Sequence, residues 1–138
     1  MDLYKVFGTN TQREAEGIKI FLSTEPEEIY FVLARAGGNN KKYQELLTKM
    51  LAPYKRQLDM GTLNESISKK IMTEVFCKTC LLNWKGVKSM KGELLGYSID
   101  SAIDLMNDLP DLYTYLWGET QKLINFQDPE MEEIAKNL

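Results

Sequence analysis

The 138-residue sequence contains no histidine. Its absence removes the commonest general acid or base and the commonest metal ligand. Cysteine occurs only as Cys77 and Cys80, so one chain has no complete donor set for a four-ligand zinc site. No apolar run reaches the roughly 18 residues that a helical membrane span needs. The opening Met1-Asp2 lacks a basic segment ahead of an apolar stretch, so no secretory leader is expected. Excess positive charge is missing too. The formal net charge is −3, which speaks against a dedicated nucleic-acid binder, because phosphate neutralisation needs clustered Lys and Arg. The basic pairs Lys41-Lys42, Lys55-Arg56 and Lys69-Lys70 fall among carboxylates on expected helices and read as solvated faces. These absences together indicate a cytoplasmic chain with reduced thiols, no membrane or nucleic-acid partner, no cofactor and no catalytic site.

What remains suits one domain over 1–138, of α+β class and mainly α. Its N-terminal β-hairpin is expected to pack on about four helices. Residues 1–16 read as an irregular arm that docks through Leu3, Tyr4, Val6 and Phe7. Two stretches rich in β-branched and aromatic residues, 18–22 and 29–33, predict the hairpin within 17–34, with Pro26 breaking the chain between them.

The helical part spans 39–126. Tyr43, Leu46, Leu47, Met50, Leu51, Tyr54 and Leu58 form one stripe, with Pro53 breaking or kinking it and Gly61 stopping it. Thr62 and Glu65 suit a capping box for a second helix that runs to about Trp84. Its apolar residues cover more than half the wheel, which predicts a central helix with neighbours on two sides. Residues 85–97, with Gly86, Gly92 and Gly96, form a long loop with a short hairpin near Lys91-Gly92. Loops of this length in a compact domain are often functional. Ser98 caps a third helix with Ile99, Ala102, Ile103 and Met106 inward. Asp108 caps a fourth that has Pro110 in its first turn. An acidic tail, 127–138, closes the chain, with one loose helical turn or more expected beyond residue 129.

Few residues suggest chemistry. Cys77-Lys78-Thr79-Cys80 has the spacing of a redox or zinc pair. It falls late in a helix, however, where the dipole gives a thiolate no help. Two copies of the chain pooling four sulfurs would restore a zinc site, and a homo-oligomer is left open; small core residues at helical spacing are the simpler reading. Capping explains Asp108 and Asp111 beside Asp104 without catalysis. Gly37-Gly38-Asn39 joins a strand to a helix as phosphate loops do, but it matches no phosphate-binding pattern and reads as a turn. Tyr113, Tyr115, Leu116, Trp117, Leu123, Ile124 and Phe126 exceed what one helix stripe requires. They are the expected partner-binding patch.

Several blocks occur in a recognisable order: Ala34-Arg35-Ala36-Gly37-Gly38-Asn39 with Lys41-Lys42-Tyr43, then Pro53-Tyr54-Lys55-Arg56. Leu82-Asn83-Trp84-Lys85-Gly86-Val87, Tyr97-Ser98 and Leu109-Pro110-Asp111-Leu112-Tyr113 follow. In these blocks the chain resembles the tail assembly chaperones of long-tailed bacteriophages. The resemblance runs from the first strand to the fourth helix and implies a non-catalytic role in the host cytoplasm. The implied partners are the tape-measure protein, which such a chaperone keeps soluble, and the tail tube protein, which it helps to recruit. The alternative is a structural virion component, such as a minor tail or connector protein. Cys77, Cys80 and residues 88–96 have no place in that pattern.

Overall fold

Alternating apolar side chains make the two expected strands, and the computed structural model, which describes residues 1–129, pairs them as a hairpin. Strand β1 (Ile18–Ser23) runs antiparallel to β2 (Ile29–Leu33), with Ile20 opposite Phe31 and Phe21 opposite Tyr30. A third strand was not expected. Strand β3 (Leu81–Lys85) pairs antiparallel to the other side of β2, giving the order β1-β2-β3. Residues 81–84 therefore do not continue the second long helix. Phe31, Leu33, Leu81 and Trp84 point into the core, whereas Phe21 and Tyr30 meet edge-on outside, 5.4 Å between ring centres.

The fold is α+β and mainly helical, with seven α-helices among the described residues. Two of them correct the irregular arm. Helix α1 (Leu3–Phe7) is capped by the Asp2 carboxylate and α2 (Thr11–Glu16) by the Asn10 side chain. Leu3, Tyr4 and Phe7 stay exposed, so the arm does not dock through them. Polar groups hold it instead. The Asn10 N–H donates to Phe126 O (2.7 Å), and Gln127 Nε2 donates to Val6 O (2.7 Å) and Gly8 O (3.1 Å). Gln127 is buried, so the expected acidic tail begins inside the fold. The helical turn expected beyond residue 129 lies outside the described residues.

The first apolar stripe becomes α3 (Lys41–Leu51), a 3₁₀ turn through Pro53, and α4 (Lys55–Met60). Gly61 ends α4 in the left-handed region, at φ +67°, as expected. Helix α5 (Glu65–Thr79) is capped by the Asn64 side chain on the Ser66 N–H, so Thr62 forms no capping box. Val75, Phe76 and Cys77 on α5 are fully buried, and the helix packs against α3, α6 (Ile99–Asp108) and β3. Each large side chain enclosed there stabilises the fold by about 1.5–3 kcal/mol. Ser98 caps α6 through its hydroxyl, as expected. Helix α7 (Pro110–Glu119) starts with Pro110 in its first turn, but its N-cap is Leu109, and no side chain caps it. Asp108 is thus the last residue of α6 and caps nothing.

Candidate functional site

The structure spreads the seven aromatic and aliphatic residues at the C-terminal end over different surroundings. Leu116 and Phe126 are fully enclosed. The Tyr113 ring meets Phe76 edge-on at 5.2 Å, and burial pushes its phenol up to about 12. Trp117 lies 6.1 Å from both Phe76 and Tyr43. Leu123 and Ile124 are half-buried on a 3₁₀ turn that packs on α2. Tyr115 alone of the seven is classed as exposed. The surplus over one stripe arises because this end of the chain covers two things, α5 and the N-terminal arm. Side chains with no exposure offer a partner no contact area, so the seven do not form one open patch.

An open apolar surface exists elsewhere, where the 85–97 loop faces α6. The loop is tightly pinned. Trp84 Nε1 donates to Leu95 O (2.8 Å), the Tyr97 hydroxyl to Leu81 O (2.6 Å), and the Leu95 N–H to Val87 O (2.8 Å). Lys88 and Leu94 form an isolated antiparallel bridge, and the Ser89 N–H donates to Glu93 O (2.8 Å). This is the short hairpin expected near Lys91-Gly92. Gly86 lets it start: at φ +78° the backbone passes so close to the Glu28 carbonyl that a Cβ would collide with it. Although the backbone is held, Met90 is 98% exposed and Leu94 76%.

Between this loop and α6 lies a cavity of about 300 Å³, lined by Met90, Leu95, Leu105 and Leu109 with Asp104 and Asp108. A second, of about 240 Å³, lies on the sheet side between Leu22, Ile29, Phe31, Val87 and Leu112. Lys88, Leu105 and Leu109 line both, so the two adjoin as one groove. The Lys88 ammonium is held at 3.2 Å by Glu27, which lies in the β1–β2 loop.

Sequence reasoning singled out the loop but missed the α6 wall. The available signal was Leu105 and Leu109, two apolar residues at helical spacing from Ala102 and Met106 that widen the apolar face beyond the four residues expected inward. Asp104 and Asp108, two of the three aspartates near this helix junction, line the groove as surface carboxylates; neither has an ion-pair partner among the described residues.

Cys77 and Cys80 are fully enclosed and form no disulfide. Burial pushes both thiols up to about 12. No group of three or more potential metal-ligating side chains occurs among the described residues. None of their helices is long and apolar enough to cross a membrane.

The Gly37-Gly38-Asn39 turn does hold an anion, but one from the chain itself. The Glu14 carboxylate, fully buried, accepts from Asn39 Nδ2 (2.7 Å), the Asn39 N–H (3.2 Å), Thr9 Oγ1 (2.5 Å) and Arg35 (2.8 Å). Burial raises its pKa; these hydrogen bonds outweigh that and hold it below the ordinary carboxylate value.

Comparison with protein families gives the chain's origin. A family model described as "YdaY prophage protein" matches residues 38–137. The chain belongs to the YdaY prophage protein family. The match begins at Gly38, in the turn that holds Glu14. It covers the loop wall and the α6 wall of the groove and leaves out the β1–β2 hairpin. No curated protein and no solved structure matches the chain. Its phage origin accords with the resemblance in its sequence blocks, at the level of source.

Proposed function

We propose that this YdaY-family protein is a tail assembly chaperone. It binds the tape-measure protein, helps to recruit tail tube subunits, and acts by binding rather than catalysis. The observation that carries this reading is the groove between the pinned 85–97 loop and α6. It combines a rigid frame with uncovered apolar side chains, Met90 and Leu109. A client-holding protein needs such a surface, because a helical client presents its apolar face to a matching groove. Methionine at the rim favours adaptable contacts with a repetitive client, since its unbranched side chain repacks easily. Many weak contacts along a long client add up through effective concentration. Prophage membership supplies the setting in which such a client is made.

Co-expression with the tape-measure protein of the same prophage tests the reading. The expected result is a large rise in the soluble fraction of the tape-measure protein when the chain is present. Equal solubility with and without it overturns the proposal. Mass spectrometry of purified particles separates this role from that of a structural virion component. A chaperone is missing from mature virions, whereas a minor tail or connector protein is present in them.

A further inference from the structure

We propose that the groove takes an amphipathic helix of a partner protein that carries Lys or Arg along one flank of its apolar stripe. This names the chemistry of the client in the reading above and depends on it.

The wall that α6 contributes has two kinds of side chain in register. Leu105 and Leu109 face the cavity, and Asp104 and Asp108 border it. The two carboxylates stand four residues apart, so they lie on one edge of the helix with a rise of about 6 Å between them. A partner helix lying along α6 brings its own residues at the same spacing opposite them, while its apolar stripe covers the leucines.

Among the described residues no ion pair compensates the charge of this edge. Lys88 is the cation common to both parts of the groove, and Glu27 engages it. Helix α6 has no basic residue in its last turn. Asp108 therefore sits at the negative end of the helix dipole, where a carboxylate is disfavoured. A cation from the partner relieves both the mutual repulsion and the clash with the dipole. An acidic flank adds to them. Phosphate-rich partners meet the same repulsion, so the occupant is a basic-flanked polypeptide. The leucines supply area, and the aspartates select sign and register.

The test uses the full chain and two labelled helical peptides of about four turns each. They share one Leu/Met stripe and differ only in flanking Lys or flanking Glu. At low salt the Lys peptide is expected to bind roughly tenfold tighter by fluorescence anisotropy, as two exposed ion pairs allow. Added salt narrows that gap. The double variant Asp104→Asn/Asp108→Asn closes it without lowering the thermal midpoint, since both side chains are exposed and their charges are unfavourable to the helix. Equal affinities, a gap that survives in the double variant, or no binding of either peptide overturns the inference. So does concentration-dependent dimerisation that Leu109→Asp abolishes, because the occupant is then a second copy. Co-expression keeps this inference distinct from the chaperone reading. If the double variant solubilises the tape-measure protein as well as the wild type does, the flank inference fails and client binding stands. If the wild type gives no solubilisation while the Lys peptide binds selectively, the client identity fails and the groove chemistry stands.

Discussion

The carboxylate of Glu14 fills the space that Gly38 leaves by having no side chain. A Cβ at Gly38 would overlap the Glu14 Oε2 atom, and the residue sits at φ +55°. The turn that resembles a phosphate loop thus works as an internal clasp. It ties the N-terminal arm to the junction of β2 and α3, and Asn40 completes it from below by donating to Arg35 O and Thr79 O, both at 2.9 Å. Glu14→Gln places an amide N–H₂ among donors, and it is expected to lower stability by about 2–3 kcal/mol. Gly38→Ala is expected to cost as much, from the overlap together with the left-handed backbone. The pH dependence has a definite sign. The folded carboxyl is held below its ordinary value of 4.5. Its contribution is present above that pH and is lost as pH falls through the folded value. Urea midpoints should therefore fall between neutral pH and about pH 3 more steeply in wild type than in Glu14→Gln. Equal slopes count against the clasp.

Much of this was legible locally. Both hairpin strands, the Pro53 break, the Gly61 stop and the Ser98 cap follow from turn chemistry and periodicity. The losses came where distant segments decide. Strand β3 follows α5 after the single residue Cys80, with no Gly or Pro between them. Leu81 and Trp84 extend the helical spacing of Cys77 and Cys80, so periodicity alone favours a longer helix. Pairing with β2 overrides it, marked by the Ala34 N–H donating to Cys80 O at 2.8 Å. The stripe wider than half a wheel was the trace of that change of period. The arm was missed for a different reason. Its caps, Asp2 and Asn10, are plain in the sequence, but its anchors, the Gln127 side-chain amide and the Phe126 carbonyl, lie more than a hundred residues away. The groove shares this character, because no stretch of sequence shows that Val87 faces Leu105.

Cys77 and Cys80 should behave as core residues in solution. A thiol-reactive dye is expected to label neither in the native protein and both once it unfolds, with a labelling rate equal to the unfolding rate. Rapid native labelling refutes this, because a thiolate rather than a thiol is the reacting species. Their titration destabilises at the alkaline end. An ordinary thiol ionises near 9.0, whereas these are raised to about 12. Their contribution is complete below the ordinary value and is lost as pH climbs from there towards the folded one.

Trp117 separates a core role from a contact role. Its ring packs against Phe76, Tyr43 and Tyr113, so Trp117→Ala is expected to lower stability by roughly 2–4 kcal/mol. Trp117→Glu should cost more and blunt the cooperativity of the thermal transition. Tyr115→Ala, at an exposed position on the same helix, should change stability by less than about 0.5 kcal/mol. A Trp117→Glu protein with the wild-type midpoint contradicts this packing.

Asp108 offers the sharpest comparison, because its expected effects on stability and on binding have opposite signs. It ends α6 next to Leu109 with no cation nearby in the last turn. Reversing its charge should suit the helix: Asp108→Lys is expected to raise stability by about 0.5 kcal/mol, the usual size of a dipole interaction at an exposed terminus. The same change removes a carboxylate from the groove and should weaken binding of a Lys-flanked helical peptide. Thermal melts and anisotropy titrations on one preparation read both quantities. A variant that is more stable and binds less well places Asp108 where recognition, not folding, selects the residue. One that is less stable shows instead that the carboxylate supports the fold through contacts beyond those described, and the argument from the dipole then fails.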